Sequence, residues 1–162
     1  MFFITAQFLP ALCELEVQHR WNTRLRRALT EAQLPNAKTL SNFEWSHIPN
    51  FNPAPLMNLA DDPGWLERGE NCLIFGASGV GKTHLASGVA RRMVEFGKRV
   101  KFFPSLALVQ SLQQAKLNLS LQATLKKLDR FDLLVLDDLG YVKKSEAETS
   151  VLFEVIAHRY ER

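Results

Sequence analysis

Apolar residues recur at helical spacing in the first part of the chain and in strand-and-helix alternation in the last part. Between residues 8 and 34, Trp21, Leu25, Ala28, Leu29 and Ala32 form one stripe. Arg20, Arg24, Arg27 and Glu31 fall at i, i+4, i+7 and i+11 on another face. This predicts a helix with Pro10 in its first turn and Pro35 as its stop. Residues 35 to 70 lose periodicity and hold Pro35, Pro49, Pro53, Pro55 and Pro63, as a connecting region does. Phe43, Trp45 and Phe51 make that region too aromatic for a free linker, so it is expected to pack on the domain C-terminal to it.

From Asn71 onward short apolar runs alternate with helical patterns. Residues 72 to 75 read as a buried strand, 82 to 96 as a helix stopped by Gly97, and 100 to 103 as a second strand. A helix opened by Pro104 and Ser105 carries Leu108, Val109, Leu112 and Ala115, and another carries Leu121, Leu125 and Leu128. Residues 132 to 136 form a third strand, ending in Asp137 and Asp138. Ser145 and Glu148 have capping-box spacing and open a last helix with the stripe Val151, Leu152, Val155, Ile156 and Tyr160. Wholly apolar strands separated by helices predict an α/β fold with a parallel sheet covered on both faces.

The 162 residues are 46% hydrophobic and 23% charged, which excludes a disordered or collagenous chain. The formal net charge is only +3, so any attraction for polyanions must come from local clustering. No apolar run approaches the roughly 18 residues that span a bilayer, so no membrane association is expected. The apolar first dozen residues lack a basic n-region and read as a core helix, not a secretory signal. Cys13 and Cys72 lie far apart, as reduced cysteines of a cytoplasmic protein do. His19, His47, His84 and His158 lack the spacing of zinc ligands.

One motif carries definite chemistry. Gly76, Ala77, Ser78, Gly79, Val80, Gly81, Lys82 and Thr83 match G-x-x-x-x-G-K-[ST] in full, after an apolar run and before a helix. A triphosphate needs short-range neutralisation, which a nest of backbone N–H groups and a helix N-terminus supply. Gly76, Gly79 and Gly81 allow the backbone angles and close approach. Lys82 places an ammonium on the β- and γ-phosphates, and Thr83 offers a hydroxyl to Mg²⁺. His84 follows on the helix and belongs with this nucleotide-binding run as packing or support. Asp137 lies 55 residues after Lys82, at the carboxyl end of a strand where ligands of parallel sheets bind. It is the candidate Mg²⁺ holder, through water or as a pair with Thr83, and Asp138 is the candidate general base, with Lys82 as the other catalytic residue.

The combination GASGVGKTHLA, RFDLLVLDDLGYV and LFEVIAHRYER, with LTEAQLPNAKTLSNFEW and ERGENCLIFG upstream, resembles the IstB family from about residue 8 to the end. These are ATPase helpers of insertion-sequence transposition in the AAA+ group, related to the DnaC helicase loaders and DnaA initiators. The resemblance implies a P-loop NTPase fold of AAA+ type, ATP and Mg²⁺ as ligands, homo-oligomers, and DNA and a transposase as partners. It also implies a nucleotide-side position for the region of Phe43, Glu44 and Trp45. The family pattern continues past Arg162 with a sensor strand, an arginine acting on a neighbouring subunit and a lid. The expected architecture is therefore an incomplete P-loop domain over 71–162, a helical region over 1–36 and a connecting segment over 37–70. Weak nucleotide binding or negligible hydrolysis is expected of this chain alone.

Arg20, Arg24 and Arg27, with Arg26 nearby, form the concentrated basic face, a candidate for DNA phosphates or a subunit contact. Alternatives to the transposition helper are a DnaC-like helicase loader and a non-hydrolysing nucleotide-binding fragment. A small-molecule kinase is disfavoured because residues 104 to 130 hold only Lys116, Lys126, Lys127 and Arg130 where an Arg-rich lid belongs. A GTPase is disfavoured because no Asn-Lys-x-Asp guanine reader occurs.

Overall fold

The computed structural model describes residues 3–139 and 146–161. Among them are seven α-helices and two strands: α1 (Phe3–Ala32), α2 (Ala54–Asp61), α3 (Gly64–Glu67), α4 (Lys82–Glu95), β1 (Val100–Pro104), α5 (Ser105–Leu117), α6 (Leu121–Leu128), β2 (Leu133–Asp137) and α7 (Glu146–Tyr160). Two short 3₁₀ turns, Leu40–Asn42 and Trp45–His47, lie between α1 and α2.

The strands pair in parallel, Val100 opposite Leu133 through Pro104 opposite Asp137. Successive side chains of a strand point to opposite faces. Val100, Phe102, Leu133 and Val135 accordingly join one core with α4, α2, Trp65 and the C-terminal part of α1. Phe103, Leu134 and Leu136 join a second core with α5, α6 and α7. A parallel sheet with both faces covered is what the apolar strands predicted. From the 37–70 region, Phe43, Leu56, Ala60 and Trp65 are buried in the first core. Its helices α2 and α3 were not predicted, because Pro53 and Pro63 punctuate them and neither helix exceeds 8 residues.

Helix α4 ends as predicted. The Lys98 N–H donates to the Met93 carbonyl at 3.0 Å and the Gly97 N–H to that of Val94 at 2.9 Å, with Gly97 at φ +81°. That is the Schellman pattern, and it turns the chain directly into β1.

Four expectations need correction. First, Pro10 lies inside α1, which starts at Phe3, and residues 8–22 around and after it are exposed. Second, Trp21 is half exposed, because α1 reaches the core only from Leu25 onward. Third, residues 72 to 75 are not a strand: Leu73 is 71% and Phe75 86% exposed. An apolar run becomes a strand only when a neighbour accepts its ladder, and among the described residues none lies beside it. Fourth, the last apolar stripe splits. Val151, Leu152 and Val155 are buried, while Ile156 and Tyr160 are exposed, because α7 packs on α5 along one narrow face. Its Arg159 guanidinium donates instead to the Leu128, Phe131 and Asp132 carbonyls. Ser145, and with it the expected capping box, lies outside the described residues.

Candidate nucleotide-binding site

The loop over 76–81 wraps the N-terminus of α4. Gly79 and Gly81 take left-handed backbone angles, φ +81° and +92°, which side chains bearing a β-carbon rarely adopt. Gly76 does not; there the constraint is space, since a β-carbon would sit 3.3 Å from Val80 Cγ2. The Lys82 ammonium folds back over the loop, donating to the carbonyls of Gly76 at 3.0 Å and Ala77 at 2.6 Å. Those oxygens hold the cation where phosphate oxygens can compete for it.

The other half of the site arrives from β2. Parallel pairing brings the carboxyl end of β2 beside the start of α4, and the Thr83 hydroxyl lies 3.0 and 2.9 Å from the two Asp137 carboxylate oxygens. Residues 54 apart in sequence therefore share one hydrogen bond next to the Lys82 loop. Asp138 follows at φ +58°, a left-handed angle that Asp tolerates better than most residues. Asp138 is exposed, and its carbonyl accepts the buried Ser105 hydroxyl at 2.9 Å. A buried hydroxyl thus holds the turn that follows Asp137.

The family model for the IstB-like ATP binding protein matches residues 3–162. The chain belongs to the IstB-like ATP-binding family. It is 48% identical to an insertion-sequence ATP-binding protein of Sinorhizobium fredii, over 97% of this chain and 53% of that protein. It is 36% identical to an IS21 ATP-binding protein of Pseudomonas aeruginosa, over 93% of this chain and 58% of the relative. An insertion-sequence ATP-binding protein of Mycobacterium tuberculosis shares 28% identity over 94% of this chain and 61% of its own length. The chain thus spans little more than half the length of the curated relatives it matches first.

In this IstB-like chain His84 reaches the segment between α1 and α2. Its Nε2 lies 2.8 Å from the Thr39 carbonyl oxygen and 2.9 Å from Asn42 Oδ1. Both are acceptors, so the hydrogen-bond network assigns the proton to Nε2. Two neighbouring positions on the same face of α4 make equally close contacts. A β-carbon at Gly81 would meet the Phe43 ring at 2.6 Å, and one at Gly88 would meet Leu40 Cδ2 at 2.7 Å and its backbone nitrogen at 3.0 Å. Positions 81, 84 and 88 therefore clamp the segment 39–43 along the first two turns of α4. Sequence reasoning had no access to this role of Thr39, Leu40 and Asn42, which are polar or ordinary residues in an aperiodic stretch.

His84→Ala is predicted to cost about 1 kcal/mol of stability, the worth of one part-buried hydrogen bond and one exposed one. It is also predicted to weaken ATP binding several-fold by releasing the first turn of α4. Thermal melts and a fluorescent-ATP titration check both; unchanged affinity with a lowered melting point would confine His84 to packing.

The candidate DNA residues lie together. Arg20, Arg24 and Arg27 line one shallow groove along α1 with His19 and Thr23. Arg20 is tied to Glu16 at 2.6 Å, and hydrogen bonding from that guanidinium holds the Glu16 carboxyl below its ordinary range. Among the described residues no carboxylate pairs with Arg24 or Arg27. No described helix is long and apolar enough to cross a membrane.

Proposed function

We propose that this chain binds Mg-ATP at residues 76–83 and serves as the ATP-binding helper of a transposition system, acting with a transposase on DNA. The observation that supports it most is the Thr83 hydroxyl on the Asp137 carboxylate beside a loop gripped by Lys82. Among the described residues no three His, Cys, Asp or Glu side chains converge into a metal cage. One carboxylate and one hydroxyl converge instead. That oxygen pair suits Mg²⁺, which takes one or two protein ligands and completes its shell with phosphate and water. The ion, when bound, would neutralise charge on the β- and γ-phosphates.

The chain's own residues divide the remaining work. Loop amides and the N-terminus of α4 bind phosphate oxygens, and Lys82 leaves the Gly76 and Ala77 carbonyls for them. Asp138 sits in the turn after β2 as the group that would accept a proton from an attacking water. The relatives' names supply the transposition setting. Homo-oligomers, and Arg20, Arg24 and Arg27 as DNA contacts, are parts of the same proposal.

The test is magnesium-dependent affinity. Asp137→Asn keeps the shape and the hydrogen bond to Thr83 but removes the charge. Fluorescent-ATP titration is predicted to show at least ten-fold tighter binding with Mg²⁺ than with EDTA for the wild-type chain. The variant should show less than a two-fold difference, with its EDTA affinity unchanged. Equal Mg²⁺ enhancement in both proteins would remove Asp137 from the site.

A further inference from the structure

We infer that the basic face of α1 continues across the amino-terminal end of the sheet through Arg99, Lys101 and Arg130, forming one composite track that fits the phosphate backbone of a nucleic-acid duplex. The inference rests on the reading of DNA as a partner and names the surface that meets it. Glu31 is the junction. It lies on the same helical face as Arg20, Arg24 and Arg27 and one turn beyond Arg27. A single oxygen of its carboxylate receives Arg99 Nη2 at 3.2 Å and Arg130 Nη2 at 3.3 Å. Its backbone carbonyl accepts the Lys101 ammonium at 3.0 Å.

Three cations thus converge on one residue, and aromatic rings hold them there. The Arg130 and Arg99 guanidinium carbons lie 4.7 and 5.7 Å from the centroid of the buried Phe131 ring. Lys101 Nζ lies 5.8 Å from that of Phe103. Such stacking fixes a guanidinium plane before any ligand arrives, so less side-chain entropy is lost on binding. The crowding leaves a mark: burial, and next the Arg130 charge, push the Lys101 ammonium below its ordinary range. An incoming anion relieves that repulsion.

Charge and length select the partner. Six cations (Arg20, Arg24, Arg27, Arg99, Lys101 and Arg130) lie along the track, and among the described residues the carboxylates that contact them are Glu16, Glu31 and Asp132, the last of which accepts the Arg99 backbone N–H. A chain of net charge +3 has gathered its excess on one strip. From Arg20 to Glu31 alone the strip runs about 16 Å at 1.5 Å per residue. That exceeds a single phosphate or a free nucleotide and suits a backbone carrying one charge per about 1.7 Å of duplex axis. Five of the six cations are arginines, which grip phosphate bidentately. Arg99 and Arg130 precede the strands, whereas Thr83 and Asp137 meet at the carboxyl end of β2. The duplex and the nucleotide can therefore be held at once.

The experiment is fluorescence anisotropy with a labelled duplex of about 30 base pairs and the full chain with Mg-ATP, over a series of salt concentrations. Relative to wild type, an Arg99→Gln, Lys101→Gln, Arg130→Gln triple variant should bind at least about ten-fold more weakly near 0.1 M salt. The slope of log K against log salt should fall by about 2–3, near 0.9 for each phosphate no longer neutralised. Lys116→Gln, off the track, should bind as wild type. Glu31→Gln keeps every cation and removes the competing charge, so it should bind the duplex two- to five-fold more tightly even if the triple variant fails to fold. A folded triple variant with wild-type affinity and slope, or a Glu31→Gln variant that binds no better, overturns the track while leaving DNA as a partner. A wild-type chain that ignores the duplex overturns both. Binding to anionic vesicles with the same dependence on these three residues overturns nucleic acid as the occupant.

Discussion

Lys82→Ala is expected to weaken ATP binding by roughly 30- to 100-fold. A hydrogen bond to a charged group is worth about 1.5–3 kcal/mol, and the upper half of that range corresponds to one or two powers of ten in affinity. The lysine is aimed already, 2.6 Å from the Ala77 carbonyl and 3.0 Å from that of Gly76, so little side-chain ordering is charged against the interaction. Its ammonium is the cation that reaches both loop carbonyls, and alanine puts nothing in its place. Its removal leaves the cores intact, because its partners are loop carbonyls that water can reach. Titration with a fluorescent ATP analogue checks the affinity, and a thermal melt without nucleotide should stay close to wild type. Binding within three-fold of wild type would take Lys82 out of the phosphate site.

Met93→Ala should have the largest effect on stability, a loss of about 2–5 kcal/mol. Met93 is fully buried and the largest such side chain, in the core that ties α1, α2, α4 and β1 together. For a chain of this size each kcal/mol moves the melting point by roughly 2–4 °C, so a drop of about 6–12 °C is expected for a loss near 3 kcal/mol. Met57→Ala, at a side chain 36% exposed, should cost under about 1 kcal/mol. The two experiments meet in one measurement. ATP at a hundred times its dissociation constant should return about 2.7 kcal/mol to Met93→Ala through mass action. At the same concentration it should return well under about 1 kcal/mol to a Lys82→Ala, Met93→Ala double variant, because that concentration is then only about one to three times the weakened dissociation constant. Rescue of both would mean that the stabilising ligand binds elsewhere.

The candidate phosphate loop was legible as a motif because its residues are contiguous: eight neighbouring positions bring the glycines, the lysine and the helix start with them. The place of Asp137 at the carboxyl end of β2 was legible for a different reason, since a carboxylate closing an apolar strand has one place to go in a parallel sheet. The apolar run at 72 to 75 misled, because periodicity reports which residues can be buried and not whether a neighbouring strand exists to pair with them. The long α7 stripe misled similarly. A helix can carry more apolar surface than its neighbours cover, so Phe153, Ile156 and Tyr160 stay exposed.

From residue order alone came the candidate nucleotide loop, the helix stop at Gly97, the parallel sense of the sheet and the arginine face of α1. All of these depend on spacings within one element or on a rule for how neighbouring elements connect. Folding in three dimensions decided three other things: the bond between Thr83 and Asp137, the clamp of residues 39–43 on α4, and the gathering of Arg99, Lys101 and Arg130 around Glu31. Those contacts join residues many tens of positions apart. Their energy depends on distances that no local period encodes, and only the stacking of helices on the two faces of β1 and β2 brings them within a few ångströms.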